Sequence, residues 1–253
     1  MEVIFLGTGT SQGIPIIGSK DPVCLSSDIK DKRLRSSVFV SYKDTQIVID
    51  TGPDFRQQML TNSIDKIEAV LYTHEHSDHT AGIDDLRPFC RRYGAMPIYA
   101  LQRVIENLKI RFSYIFATEN RYEGAPSVVS YIVDKDSFKI KNLTVTPMKL
   151  GHGNIDILGF RINNFVYITD AKTIYNQEKE KLKNVKILVV NALRISPHPT
   201  HFNLQEALDF IAEIKPQKAY ITHISHKLGF HKEVEKLLPK NVFLAYDNLK
   251  ITV

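Results

Sequence analysis

Between Thr73 and His79 the chain reads Thr-His-Glu-His-Ser-Asp-His, which sets His74, His76, Asp78 and His79 within six residues. Imidazole nitrogen and carboxylate oxygen are the ligands that zinc, manganese and iron accept. The run follows an apolar stretch, Ile67 to Tyr72, and precedes Thr80-Ala81-Gly82, where a helix is expected to begin. It therefore reads as a loop at the carboxyl end of a strand, where side chains two apart converge on one point. His152, Asp170, His201 and His223 follow later, each expected after a short apolar strand. A lone histidine in such a place is ordinarily a surface or core residue. Their recurrence at strand ends is different, because strand ends along one edge lie side by side. Two cations a few ångströms apart need about seven protein ligands and a shared carboxylate. His74, His76, Asp78, His79, His152, Asp170 and His223 supply that number, and Asp170, after Tyr167-Ile168-Thr169, is placed to bridge.

The elements that position these residues are short. Val3 to Leu6 reads as a strand ending in Gly7-Thr8-Gly9-Thr10. Val38-Phe39-Val40 and Ile47-Val48-Ile49 flank Asp44-Thr45 as a hairpin. Ala69 to Tyr72 is a strand, and Leu101 to Phe112 suits a helix. In the second half, Leu143 to Thr146 is a strand before Gly151-His152-Gly153. Ile157 to Ile162 and Phe165 to Ile168 pair across Asn163-Asn164. Ile174 to Leu182 reads as a helix, and Ile187 to Val190 as a buried strand. Asn203, with Glu206 three residues on, is a capping box. It opens a helix with the apolar face Leu204, Ala207, Leu208, Ile211 and Ile214. Ala219 to Thr222 is a strand leading into His223. Strands dominate both halves with helices between them, which predicts two facing sheets under outer helices.

The length, 253 residues, admits one domain over 1–253, and ordinary apolar content provides for a core. The net charge of +5 comes from scattered basic residues, with clusters at Lys30 to Arg35 and Arg87 to Arg92. These read as solvated surface, or as a basic rim that meets an anionic substrate. Cys24 and Cys90 are too few for a disulfide framework and suit a reducing compartment. No apolar run reaches the length of a membrane span, and the opening Glu2 to Gly7 lacks the form of a signal peptide, so a cytoplasmic protein without membrane partners is expected.

The order H-x-H-x-D-H, then His152, Asp170 and His223, resembles the ligand motifs of metallo-β-lactamase-fold hydrolases over essentially the whole chain. Gly7-Thr8-Gly9-Thr10 and Asp50 before Thr51-Gly52 fit the same pattern. That resemblance implies an α/β fold, a four-layer αββα sandwich with the metals at one edge. His74, His76 and His152 would hold one divalent ion, zinc or manganese. Asp78, His79 and His223 would hold a second, with Asp170 between them.

Within the superfamily the chain most resembles the phosphoribosyl 1,2-cyclic phosphate phosphodiesterases. The resemblance rests on Gly7 to Pro15, His201-Phe202-Asn203-Leu204-Gln205-Glu206-Ala207-Leu208, and Thr222-His223-Ile224-Ser225-His226. It implies hydrolysis of a small cyclic phosphodiester, such as phosphoribosyl 1,2-cyclic phosphate or a 2′,3′-cyclic nucleotide. His201 and Asp78 are the catalytic candidates, with His201 as general acid, and a homodimer is implied. His198 reads as a surface residue. Arg33, Arg35 and Arg87 are candidates, on charge alone, for holding a second phosphate. The family's structural zinc uses three cysteines and the histidine aligned with His226. Here Ser19 to Cys24 keeps only Cys24, which leaves Asp21, Cys24 and His226 for a weak second site and predicts no tight structural zinc. Three rivals stand beside this reading. One is a tRNA 3′-processing endoribonuclease, with nucleic acid as substrate, though no long Gly/Pro-rich arm is present. Another is a glyoxalase-type ester hydrolase, though the chain ends in strands. The third is a metal-bearing carrier without turnover.

Overall fold

The apolar runs of the sequence form two facing sheets. The computed structural model describes residues 1–253. The strands are β1 (Glu2–Gly7), β2 (Ser37–Tyr42), β3 (Thr45–Ile49), β4 (Ala69–Leu71), β5 (Met96–Ala100), β6 (Val128–Ile132), β7 (Phe138–Ile140), β8 (Leu143–His152), β9 (Ile155–Ile162), β10 (Phe165–Tyr167), β11 (Thr173–Ile174), β12 (Ile187–Asn191), β13 (Lys218–Thr222), β14 (Val242–Leu244) and β15 (Lys250–Thr252). The helices are α1 (Pro22–Leu25), α2 (Phe55–Thr61), α3 (Ser77–Thr80), α4 (Arg87–Tyr93), α5 (Gln102–Arg111), α6 (Ser113–Phe116), α7 (Leu204–Ile214) and α8 (His231–Glu235). The first sheet has the order β15-β1-β2-β3-β4-β5-β6 and the second β11-β8-β9-β10-β12-β13-β14, with β7 beside β8.

Strand periodicity assigns each residue to a layer. In β12, Ile187 and Val189 join the core between the sheets, while Leu188 and Val190 join the core beneath the outer helices. In β10, Phe165 and Tyr167 face the first core and Val166 the second. Phe5 of the first sheet meets Tyr220 of the second, ring centroids 5.6 Å apart. Phe55 and Met59 of α2, Phe89 of α4 and Leu108 of α5 cover the first sheet. Leu204, Ala207, Phe210 and Ile211 of α7 and Val234 of α8 cover the second. This is the four-layer αββα sandwich. No helix is long and apolar enough to cross a membrane.

Several expected boundaries move. The helix expected at Thr80 begins at Ser77, so Asp78 and His79 lie on a helical turn. The β2–β3 turn is Lys43-Asp44, with Thr45 already paired to Tyr42. β8 continues through Gly151 to His152. The helix expected over Ile174 to Leu182 divides into β11 and a three-residue-per-turn helix, Asn176–Leu182. Lys181–Glu178 at 2.8 Å and Lys183–Glu180 at 2.6 Å pair at the i,i+3 spacing that a three-fold turn eclipses. The buried face of α7 uses Phe210, whereas Leu208 and Ile214 are half-buried.

The predicted capping box is present. Asn203 Oδ1 accepts from Glu206 N at 2.9 Å, and Asn203 N donates to Glu206 Oε2 at 2.9 Å. Asn203→Ala is expected to lower stability by about 1 kcal/mol, read as a shift in urea midpoint at unchanged m-value.

Candidate metal centre

The ligands gather because their strands end on the same edge. β4 runs parallel to β3, and β10, β12 and β13 run parallel to one another. Asp50 therefore follows β3, His74 follows β4, Asp170 follows β10 and His223 follows β13, while β8, antiparallel to β9 and so running the same way as β10, ends on His152. Close backbone contact seats α3. Thr51 N donates to His79 O at 2.8 Å, and Gly82 N donates to Thr51 O at 2.8 Å. A Cβ on Gly52 would stand 2.2 Å from Asp78 O, so only glycine permits this approach.

All seven residues expected as ligands converge. His74, His76 and His152 have ligand atoms within 4.8 Å of one another. Asp78, His79, Asp170 and His223 form a second group of the same kind. Asp170 also groups with His152 and His201, whose Nε2 lies 3.1 Å from Asp170 Oδ1. Asp170 thus stands at the junction.

Hydrogen bonds decide which ring nitrogen faces the centre. His79 Nδ1 donates to Asp50 Oδ2 at 2.7 Å, and His152 Nδ1 donates to Thr200 O at 2.9 Å. Thr73 Oγ1 donates to Asp50 Oδ2 at 2.8 Å and so accepts from His74 Nδ1 at 3.0 Å. Thr169 Oγ1 donates to Asp170 Oδ2 at 2.6 Å and accepts from His223 Nδ1 at 3.4 Å. Each of these four histidines therefore turns its Nε2 inward.

The inward atoms fit divalent cations. His79 Nε2 is buried and makes no hydrogen bond, although Asp78 Oδ2 and Asp170 Oδ2 stand 3.1 and 3.2 Å away. His74 Nε2 and His76 Nδ1 approach to 2.9 Å. Spacings of about 3 Å are those that one ion imposes on neighbouring ligands. Burial pushes His223 down to about 4 and holds His74 well below the usual histidine range, so both are neutral bases near pH 7. Burial alone would raise Asp170, but His223 and His79 outweigh it and hold the carboxyl well below its usual range. Burial likewise lowers His79, yet Asp78, Asp170 and Asp50 reverse the shift and place it well above. The pocket thus demands positive charge, which a proton on His79 or a bound cation supplies. Asp50, Asp170 and His223 have φ of 65°, 59° and 54°, a left-handed backbone costing about 1–3 kcal/mol each.

The chain belongs to the metallo-β-lactamase superfamily. The family described as the beta-lactamase superfamily domain matches residues 45–224. A crystallised diphosphatase from the PhnP family is 38% identical and has a TM-score of 0.93, with 100% of this chain and 97% of that one covered. A Porphyromonas gingivalis protein named octanoyltransferase is 39% identical over 100% of this chain but only 52% of its own length. Ribonuclease Z of Bacillus licheniformis is 28% identical over 81% of this chain and 58% of its own. The chain thus spans about half the length of the curated relatives it matches. Both ligand clusters lie within the residues that match the superfamily.

Other expected site residues lie elsewhere. Arg33 is only 3% exposed, and its guanidinium donates to Thr8 Oγ1, Ala245 O and His231 Nδ1. It fastens the amino-terminal loop to the carboxyl-terminal strands and does not reach a substrate. Arg35 pairs with Asp54 at 3.1 Å and donates to Ser11 O. Arg87 pairs with Asp84 in a surface groove shared with Arg91 and Arg92, apart from the ligand set. Asp21, Cys24 and His226 do not form a ligand group. Asp21 Oδ1 accepts from Val23 N as the cap of α1, and Cys24 is a buried free thiol. His201 follows no strand; it lies in the loop between β12 and α7. That loop is pinned beside Asp170 by Phe202 N donating to Ala171 O and Leu193 N donating to Phe202 O, both at 2.9 Å.

Sequence reading missed Thr73, Thr169, Thr200 and Asn191. Asn191 brackets Ala171, accepting from its N at 2.8 Å and donating to its O at 3.0 Å. The threonines had a signal, since each stands immediately before a site residue: Thr73-His74, Thr169-Asp170 and Thr200-His201.

Protein offered zinc or manganese is expected to bind close to two ions per chain by elemental analysis, and Asp170→Ala fewer. Asp50→Asn, which removes the charge behind His79, is expected to weaken metal about 10–100-fold in chelator competition.

Proposed function

We propose that the chain is a dinuclear-metal phosphodiesterase that hydrolyses a small cyclic phosphodiester, of the phosphoribosyl 1,2-cyclic phosphate or 2′,3′-cyclic nucleotide type. The observation that carries this reading is His201, an eighth site residue beyond the seven ligands, with Nε2 beside Asp170. When bound, two divalent ions supply a deprotonated water at neutral pH and offset charge on phosphoryl oxygens. His74, His76 and His152 would hold one ion and Asp78, His79 and His223 the other, with Asp170 available to both. Asp78 has the more exposed ligand carboxylate, 12% against 3% for Asp170, and orients the attacking water. His201 holds a proton at Nε2 and gives it to the departing alkoxide, as a general acid.

The 38% identity to a diphosphatase supports attack at a disubstituted phosphorus. The ribonuclease Z relative supports a second reading, hydrolysis of a tRNA precursor. The segment carrying His201 is short, because β12 ends at Asn191 and α7 begins at Leu204, which suits a small substrate better than an extended RNA. The octanoyltransferase name belongs to a relative nearly twice this chain's length.

The test is a panel assay of metal-loaded protein on phosphoribosyl 1,2-cyclic phosphate, 2′,3′-cyclic nucleotides, a dinucleoside diphosphate, an octanoyl thioester and tRNA precursor. Turnover is expected on the cyclic diesters. Turnover only on tRNA or the thioester would overturn the reading. His201→Ala is expected to lower kcat by about 10²–10⁴-fold while two ions remain bound.

A further inference from the structure

The geometry points to His198 as a positioning residue for the reaction, one that fixes the ring plane of the proton-carrying His201 through a histidine-to-histidine hydrogen bond. His198 Nδ1 accepts from the backbone N–H of Thr200 at 3.3 Å, so this nitrogen carries no proton. The same atom stands 3.2 Å from His201 Nδ1. Protonated His201, the form that the proposed acid step requires, carries hydrogen on both ring nitrogens, so its Nδ1–H donates across this gap to the lone pair of His198. Thr200 Oγ1, at 2.9 Å, is a second acceptor for the same N–H. The two rings meet edge-on, with centroids 4.9 Å apart and planes at 66°.

With the ring held on its Nδ1 side, Nε2–H is turned to the reaction edge, where it donates to Asp170 Oδ1 at 3.1 Å. His201 otherwise lies on a loop between elements and has no strand to orient it. The loop is itself moored to the metal ligands, because Thr200 O accepts from His152 Nδ1 at 2.9 Å. His198 sits three residues from His201, is half-buried and belongs to neither group of expected ligands. Its sequence reading as a plain surface residue is therefore replaced by a role in aiming the proton donor.

The inference rests on the phosphodiesterase reading for its kinetic arm, and a spectroscopic arm stands without it. Three proteins are compared, each zinc-loaded: the wild type, His198→Ala and His198→Asn, whose Oδ1 takes the place of His198 Nδ1 as acceptor. On a 2′,3′-cyclic nucleotide, whose alkoxide must be protonated to leave, His198→Ala is expected to lower kcat about 10–100-fold, with KM and bound metal little changed. On bis(p-nitrophenyl) phosphate, whose leaving group departs as a stable anion, the same variant is expected to stay within about twofold of the wild type. His198→Asn is expected to recover most of the lost rate. Equal losses on both substrates, loss of metal, or no loss at all would overturn the role. In the second arm, ¹⁵N-histidine spectra are expected to show hydrogen on His201 Nδ1 in the wild type and in His198→Asn, and a shifted or rapidly exchanging signal in His198→Ala. An unchanged His201 signal in His198→Ala would overturn the hydrogen bond. Absence of turnover on either diester would defeat the proposed reaction, and the spectra would still decide the contact.

Discussion

Three carboxylates, Asp50, Asp78 and Asp170, converge on one fully buried imidazole, His79, and the rest of the structure answers to that arrangement. Burying negative charge is costly unless cations or strong hydrogen bonds compensate. The fold divides the task between two sides of the ring. On the outer side, Asp50 is satisfied by protein alone, accepting from His79 Nδ1, Thr73 N and Thr73 Oγ1. On the inner side, Asp78 and Asp170 face a nitrogen that makes no hydrogen bond. The asymmetry makes Asp50 a structural anion and leaves the other two carboxylates facing a site that a cation would fit. It also accounts for the left-handed backbone at Asp50 and Asp170, which turns each carboxylate off its strand direction and toward the ring.

Much of this was legible in the chain. A run with three imidazoles and an acid in six positions has few uses other than metal, and its period of two already implied convergence. The later ligands were legible because apolar strands announced their ends. The sandwich followed from the strand count and from the alternation now seen in β10 and β12. What failed to show was whatever depended on charge without a partner in view. Arg33 looked like a surface cation, yet its neighbours Thr8, Ala245 and His231 lie up to 212 residues away in sequence, and no local pattern predicts such a contact. Arg35 and Asp54 meet across a gap of 19 residues. The helix boundary at Ser77 was hidden for a different reason. The chemistry-bearing residues carry no apolar periodicity, so α3 had no stripe to reveal it.

His198 has the same local marks of a surface residue as Arg33, and the structure leaves it half-buried beside His201. A histidine between two prolines, Pro197 and Pro199, has every local mark of an exposed loop. Those prolines also restrict the backbone on either side. Arg194 restrains the approach further by donating to Ser196 O and Pro197 O. A loop with few free dihedrals loses little entropy in holding a ring at a fixed angle, which makes such a segment a suitable mount for a proton donor that no strand supports.

The threonines that precede the site residues explain how so many rings are aligned at once. A hydroxyl accepts from an imidazole N–H while donating to a carboxylate, so a single side chain transmits the orientation of an anion to a neighbouring ring. Thr73 does this between Asp50 and His74, and Thr169 between Asp170 and His223. β-branching narrows χ1, and that holds the hydroxyl on its two partners where serine would swing. Alternating imidazole, hydroxyl and carboxylate in this way leaves Nδ1 of His74 and His223 committed before any ion arrives. Their Nε2 atoms are then presented as preformed lone pairs, and cation binding need not reorganise these two rings. On this view the affinity of the centre is set as much by the outer hydroxyls and Asp50 as by the ligands themselves.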